Sequence, residues 1–221
     1  MNFNFDFLSK YSSYFVTGTK TTLILAFFAV LIGTILGLFL SLMKLSKVKI
    51  LKAISIAYIE FVRGTPLLIQ IWIIYIGLPL IIGTDLPDIL TGIIALSLNS
   101  GAYVAEIIRA GIEAVDKGQM EAARSLGMKQ DLAMRKIIIP QAFKNILPAL
   151  GNEFISIIKE SSMVSVIGVA ELMYNSGTVR AASFRGLEPL IVAAAIYFII
   201  TFILTRGMNI LERRLKASDS R

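Results

Sequence analysis

Histidine and cysteine are both absent from the 221 residues. The first absence removes the commonest general base and metal ligand, and the second excludes disulfides and thiolate metal sites. Most hydrolase and zinc mechanisms fall with them. Charge is also scarce, at 17% of residues against about 25% in an average soluble domain. A phosphate-binding P-loop is missing too: the nearest candidate, Gly18-Thr19-Lys20-Thr21, interrupts the Gly-Lys pair and lacks the upstream glycine. The chain is therefore not expected to hydrolyse ATP, nor to be an enzyme. What is abundant is apolar: 56% of residues are hydrophobic and the mean hydropathy is +0.75. Lipid is the solvent that suits such a chain, and residues 1–221 read as one membrane domain.

Five stretches have the length and polarity of spans. They run from Thr21 to Met43, Leu67 to Ile82, Ile89 to about Ile112, Ile146 to Leu172, and Leu190 to Thr205. The first contains Gly33 and Gly37 at the GxxxG spacing that permits close helix contact. Pro66 suits the opening turn of the second, which ends in the turn-rich segment Gly83 to Asp88. The segment from Tyr174 to Glu188 reads as an external loop. The first ten residues carry no basic region before an apolar core, so they are not read as a cleaved signal.

The distribution of the 22 Lys and Arg residues orients these spans. Lys44, Lys47, Lys49 and Lys52, the seven from Arg109 to Lys144, and Arg206, Arg213, Arg214, Lys216 and Arg221 fall on one side. Only Lys10, Lys20, Arg180 and Arg185 fall on the other; Arg63 and Lys159 lie in or near spans. The positive-inside bias then predicts an all-α integral membrane protein with five spans, the N-terminus outside and the C-terminus inside. The same bias accounts for the net charge of +7 without nucleic acid.

Between the third and fourth spans, Glu113 to Lys144 reads as a cytoplasmic loop with helical spacing. Gly118 is placed to end the third helix, Gln119 to Leu126 to form a short helix closed by Gly127, and Pro140 to bound the next helix. Ala122, Ala123 and Leu126 form a small apolar patch beside Glu121 and Arg124, suited to docking in a partner's groove. Packing on the chain itself is the plainer reading. Glu121-Ala122-Ala123, then Gly127, then Ile137 and Ile139-Pro140 resemble the EAA signature of permease subunits of bacterial ABC importers, with Ile139 where Leu is usual. The stretches Arg63 to Leu68, Asn99 to Gly111, Gly118-Gln119 and Lys159 to Ser162 resemble the polar amino acid branch of that family.

That resemblance implies a coupling role for Glu121, Ala122, Ala123, Arg124, Leu126 and Gly127. It also implies two separate ATPase subunits holding ATP and magnesium, a second permease copy or paralogue, an external solute-binding protein, and residence in the bacterial inner or plasma membrane. No cofactor is expected in this chain.

Ionisable groups inside spans are costly and mark candidate pathways. At 100° per residue, Asn152, Glu153, Ser156, Lys159 and Glu160 share one face of the fourth span. Asn99, Tyr103 and Glu106 share one face of the third. Glu60 and Arg63 stand three apart and invite pairing, as do Glu106 and Arg109. An amino acid zwitterion needs donors for its carboxylate and acceptors for its ammonium. Lys159 or Arg63 would receive the carboxylate; Glu106, Glu153 and Glu160 would take the ammonium and any side-chain cation. Three acids against one lysine favour arginine, lysine or histidine as substrate. The plainer reading is internal hydrogen bonding between helices. Two rival classes remain at this point: an ATP-independent transporter or channel, and an intramembrane hydrolase using Lys159 with Ser156 or Ser162.

Overall fold

The computed structural model describes residues 4–217, all of whose regular structure is helical. Residues 1–3 and 218–221, Arg221 among them, lie outside this range. Nine α-helices occur among the described residues: α1 (Phe7–Leu45), α2 (Lys49–Gly64), α3 (Leu67–Ile82), α4 (Asp88–Glu113), α5 (Lys117–Ser125), α6 (Gln130–Ala133), α7 (Ile139–Glu160), α8 (Leu172–Ser183) and α9 (Glu188–Ala217). A π turn at Met134–Ile138 leads into α7, and a 3-10 turn at Ser161–Ile167 follows it. Among the described residues three helices are long and apolar enough to cross a bilayer, namely α1, α4 and α9. The α2–α3 pair would make a fourth, but its direction changes by 112° at the break.

Helix α1 has 39 residues and is about 58 Å long, so it overhangs a hydrocarbon core of about 30 Å. The expected start at Thr21 is thus corrected to Phe7. Helix propagation does not stop where hydropathy falls, and no proline precedes Thr21. Gly33 and Gly37 set the central contact of the fold. A Cβ on Gly33 would come within 2.8 Å of Ser100 Cβ, and one on Gly37 within 2.7 Å of Val104 Cβ. Advancing four residues on α1 advances four on α4, so the two helices run parallel. Lys44 and Arg109 accordingly lie towards the same end, in keeping with the charge count.

Helix α3 returns the other way: Gln70 meets Asn99, while Pro79 and Leu80 share a cavity of about 450 Å³ with Asp88 and Thr91. Apolar side chains of α1, α3, α4, α7 and the 3-10 turn form the core, among them Leu25, Ile71, Leu96, Ile157, Ile158 and Val164.

The expected fourth span, Ile146 to Leu172, is not one helix. It starts earlier, at Ile139, and its α-helical part ends at Glu160. Serine explains the end. Ser161, Ser162 and Ser165 hydroxyls donate to the carbonyls of Ile158, Lys159 and Ser162 at 2.7–2.8 Å, competing with the i to i−4 ladder. Gly168, at φ +89°, then turns the chain. The expected loop from Tyr174 to Glu188 contains α8 instead. Its N-cap is Glu171, whose carboxylate accepts from the backbone N–H groups of Met173 and Tyr174 at 2.9 and 2.8 Å.

Candidate transport pathway and coupling helix

The short helix forms where the loop pattern predicts it, shifted to Lys117–Ser125. Asp116 is its N-cap, with Oδ1 accepting from Gly118 N–H at 2.6 Å. Gly118 therefore opens this helix instead of ending the third, which stops at Glu113. Gly127, at φ +84°, closes it: Gly127 N–H donates to the Arg124 carbonyl and Met128 N–H to the Ala123 carbonyl, a Schellman closure. The apolar patch divides. Ala123 is 2% exposed and packs within its own chain, which removes it from any partner surface, whereas Leu126 is 84% exposed and Ala122, Glu121 and Arg124 face outward with it.

The α7 stripe touches α4 next to the α4 stripe, through a residue outside it. Ser100 of α4 donates to Glu153 Oε1 of α7 at 2.9 Å, one residue from Asn99. Along α7, Asn152 and Lys159 are exposed while Glu153, Ser156 and Glu160 are half-buried, so the stripe is open along one side of the chain. Ser162 donates to the Lys159 carbonyl, and among the described residues no contact brings a serine hydroxyl to the Lys159 amine.

The third-span stripe is more differentiated than its helical arc suggests. Glu106 pairs with Lys44 at 3.1 Å and with Arg109, which also pairs with Glu113. Tyr103 is half-exposed beneath the Arg63 guanidinium, 5.4 Å from ring centroid to Cζ. Arg63 thus makes a cation–π contact, and among the described residues no ion pair joins it to Glu60. Asn99 is 3% exposed; its Nδ2 donates to Gln70 Oε1 at 2.9 Å, and its Oδ1 is buried without a hydrogen-bond partner. Such an orphan acceptor costs about 1–3 kcal/mol.

Two residues went unmarked by sequence reasoning. Gln70 joins the α2–α3 break to α4, and only its position four residues into an otherwise apolar helix signals it. Glu171, with no exposed surface, accepts from Tyr197 OH at 2.8 Å and Thr22 Oγ1 at 3.5 Å as well as from its two backbone donors. It ties α1, α8 and α9 together. Glu171→Ala is expected to lower stability by at least ~3 kcal/mol, because several buried donors lose their acceptor at once. The thermal midpoint of the detergent-solubilised protein measures this, and Glu171→Gln is expected to recover part of the loss.

Comparison with known proteins agrees with this architecture. The family described as "Binding-protein-dependent transport system inner membrane component" matches residues 13–217. The arginine transport system permease protein ArtQ of Bacillus subtilis is 43% identical over 99% of this chain and all of that protein. A putative glutamine transport system permease protein GlnP of Rickettsia bellii is 43% identical over 97% of this chain and all of that one. Among solved structures, an amino acid ABC transporter crystallised with histidines superposes with a TM-score of 0.93 at 51% identity, covering 97% of this chain and all of that one. A methionine ABC transporter, MetNI, in an inward-facing form shares the fold, with a TM-score of 0.78 at 18% identity over 91% of this chain and 96% of that one. With near-complete coverage on both sides, the chain belongs to the family of inner membrane components of binding-protein-dependent transport systems.

Proposed function

We propose that this chain is the permease subunit of an ATP-driven importer of polar amino acids, with a preference for basic ones. The meeting of the α7 stripe with α4 at the Ser100–Glu153 bond carries the reading. Glu153 thereby adjoins α4 at Ser100, and Ser156, Lys159 and Glu160 continue along the same face of α7, giving both charge signs to one pathway. Lys159, assisted by Arg63 next to Tyr103, receives the substrate carboxylate; Glu153 and Glu160 receive its cations. Glu106 is held by Lys44 and Arg109, so it closes one end of the pathway instead of contacting substrate. Without Glu106 the acids Glu153 and Glu160 outnumber Lys159 on α7 alone, and Arg63 balances them across the pathway, so the basic preference rests on the placement of the two α7 acids. The names of relatives support amino acid substrates, arginine and glutamine among them.

An open polar stripe on a chain surrounded by lipid needs a cover, and a second permease copy or paralogue supplies it. Five spans with the N-terminus outside put Leu126 and its neighbours on α5 in the cytoplasm, where two ATPase subunits engage them and supply ATP and magnesium. An external solute-binding protein delivers the substrate. Closure of the ATPase pair moves the two α5 helices and alternates access to the stripe.

The test is ATP hydrolysis by the chain purified with and without co-expressed ATPase and binding protein. Substrate-stimulated hydrolysis is expected only in the complex, with arginine ahead of glutamine and glutamine ahead of glutamate. Stimulation by glutamate equal to that by arginine overturns the basic preference. Glu160→Gln is expected to raise the half-saturating arginine concentration about tenfold, the difference between a charged and a neutral hydrogen bond, without loss of the assembled complex. Failure to assemble would assign Glu160 to interhelical bonding instead.

A further inference from the structure

Backbone carbonyls accept and never donate, and that rule fixes the polarity of every bond at the break between α2 and α3. The carbonyls of Val62 and Thr65 lie 2.7 and 3.1 Å from Gln70 Nε2. Thr65 Oγ1, whose own hydrogen goes to the Phe61 carbonyl at 2.9 Å, is a third acceptor for the same nitrogen, also at 2.9 Å. Gln70 must therefore turn its NH2 to the break and its Oε1 to α4. That oxygen needs a donor, so Asn99 must present Nδ2 to it. Asn99 Oδ1 is then left over as a buried acceptor, with no choice of amide orientation that would satisfy it. Exchanging the oxygen and nitrogen of either amide would set two acceptors or two donors against each other.

The position of this atom matters as much as its polarity. Asn99 stands 11 residues after Asp88 and 14 before Glu113, about 16 Å from the start of α4 and near the middle of that span. Its neighbour Ser100 bonds Glu153 of the polar stripe. A break in a helix at mid-span, with an unsatisfied acceptor beside it, is where a cation-bearing substrate gains most from a hydrogen bond.

We propose that Gln70 is a positioning residue for the transported substrate: by clamping the α2–α3 break it orients Asn99 so that Oδ1 accepts an N–H of the substrate's ammonium or guanidinium group. The proposal rests on the amino acid importer reading and extends it to a residue outside both stripes. Oδ1 is enclosed in this conformation, so the substrate reaches it as covering side chains move aside while the Gln70–Asn99 bond holds. Substrate therefore favours that opened arrangement by the bond it gains there.

The experiment uses the full complex with its ATPase subunits in lipid nanodiscs, arginine as the probe, and ATP hydrolysis as the readout. Asn99→Leu is expected to raise the half-saturating arginine concentration about tenfold or more while maximal hydrolysis stays within about twofold. Asn99→Asp keeps an acceptor oxygen but loses the donor to Gln70 Oε1, setting two acceptors against each other, so it is expected to shift the curve as Asn99→Leu does. Gln70→Met is expected to reproduce Asn99→Leu, and the double variant to be no worse than either, since the two act as one unit.

An unshifted Asn99→Leu curve, or factors that multiply in the double variant, overturns the proposal. If Gln70→Met does not copurify with the ATPase, Asn99→Asp decides: it retains an oxygen for the substrate but not the bond to Gln70, and a curve within about threefold of the unaltered protein overturns the positioning role. Absence of arginine stimulation in the unaltered complex would instead overturn the transport reading. Normal stimulation with an unshifted Asn99→Leu curve would overturn only the role of Gln70 and Asn99.

Discussion

Gly37→Leu is expected to abolish accumulation of the folded protein in the membrane. The Cβ alone would stand 2.6–2.9 Å from Val104 Cγ1, Val104 Cβ and Ala105 N. The last of these is backbone and has no rotamer to change. Relief requires α1 and α4 to separate along the contact that Gly33 and Gly37 share with Ser100, Gly101, Val104 and Ala105. Overpacking of this kind costs about 1–3 kcal/mol in adaptable cores. Here it falls on two close, parallel helices whose association in lipid depends on van der Waals contact, so the loss is at the upper end or beyond. The measurement is the monodisperse fraction by size-exclusion chromatography after solubilisation. Gly77→Leu is the control, because no atom lies within 4 Å of its added Cβ. Equal yields from both variants would mean that the α1–α4 contact is looser than its glycines imply.

Leu126→Asp is expected to weaken engagement of the ATPase by at least ~100-fold while leaving the permease folded. Leu126 is the most protruding apolar side chain of the α5 end, at 84% exposed. Burying a leucine in a partner is worth about 1.5–3 kcal/mol, and an aspartate in its place adds the cost of desolvating a charge. Together these exceed the roughly 2.8 kcal/mol of a hundredfold change. Copurification of the ATPase subunit and loss of arginine-stimulated hydrolysis are the readouts, with an unchanged thermal midpoint of the permease as the check on folding. Ala123→Asp makes the contrast: at 2% exposed, it is expected to disturb the chain itself. Normal stimulation in Leu126→Asp would move the coupling surface off α5.

Some elements are legible from local chemistry alone. Pro66 and Gly83 bracket α3, and its bounds agree with the sequence reading residue for residue. Gly127 signals the closure of α5 because only a left-handed residue completes that motif. The GxxxG pair signals a close contact, though not that α4 fills it, since the partner of a motif lies far away in sequence. Helix α8 and the 3-10 turn are hidden for a related reason. Both depend on side chains bonding to nearby backbone, Glu171 in one and three serines in the other, and these bonds leave hydropathy unchanged.

At the pathway, the shared arcs of Asn99, Tyr103 and Glu106 are readable from spacing, but their different bonding is not. Lys44 is 62 residues from Glu106, and Gln70 is 29 from Asn99. Helical periodicity says which residues share a face. It does not say which of them another helix has already occupied.

The two closed ends of α5 have a mechanical meaning. A nine-residue helix with an aspartate cap at one end and a Schellman closure at the other has little freedom to fray. Ala123 keys it into the rest of its own protein, and the short α6 and the wider π turn at Met134–Ile138 follow before α7 begins. A push on Leu126 is therefore not dissipated within α5, which behaves as a stiff pin. The π turn, with its wider i to i+5 ladder, is an irregular element on the route from α5 to α7. Deleting one residue from it is expected to restore an α-helical ladder there, leaving the surface around Leu126 and the face of α7 unaltered while changing how a displacement of one is passed to the other.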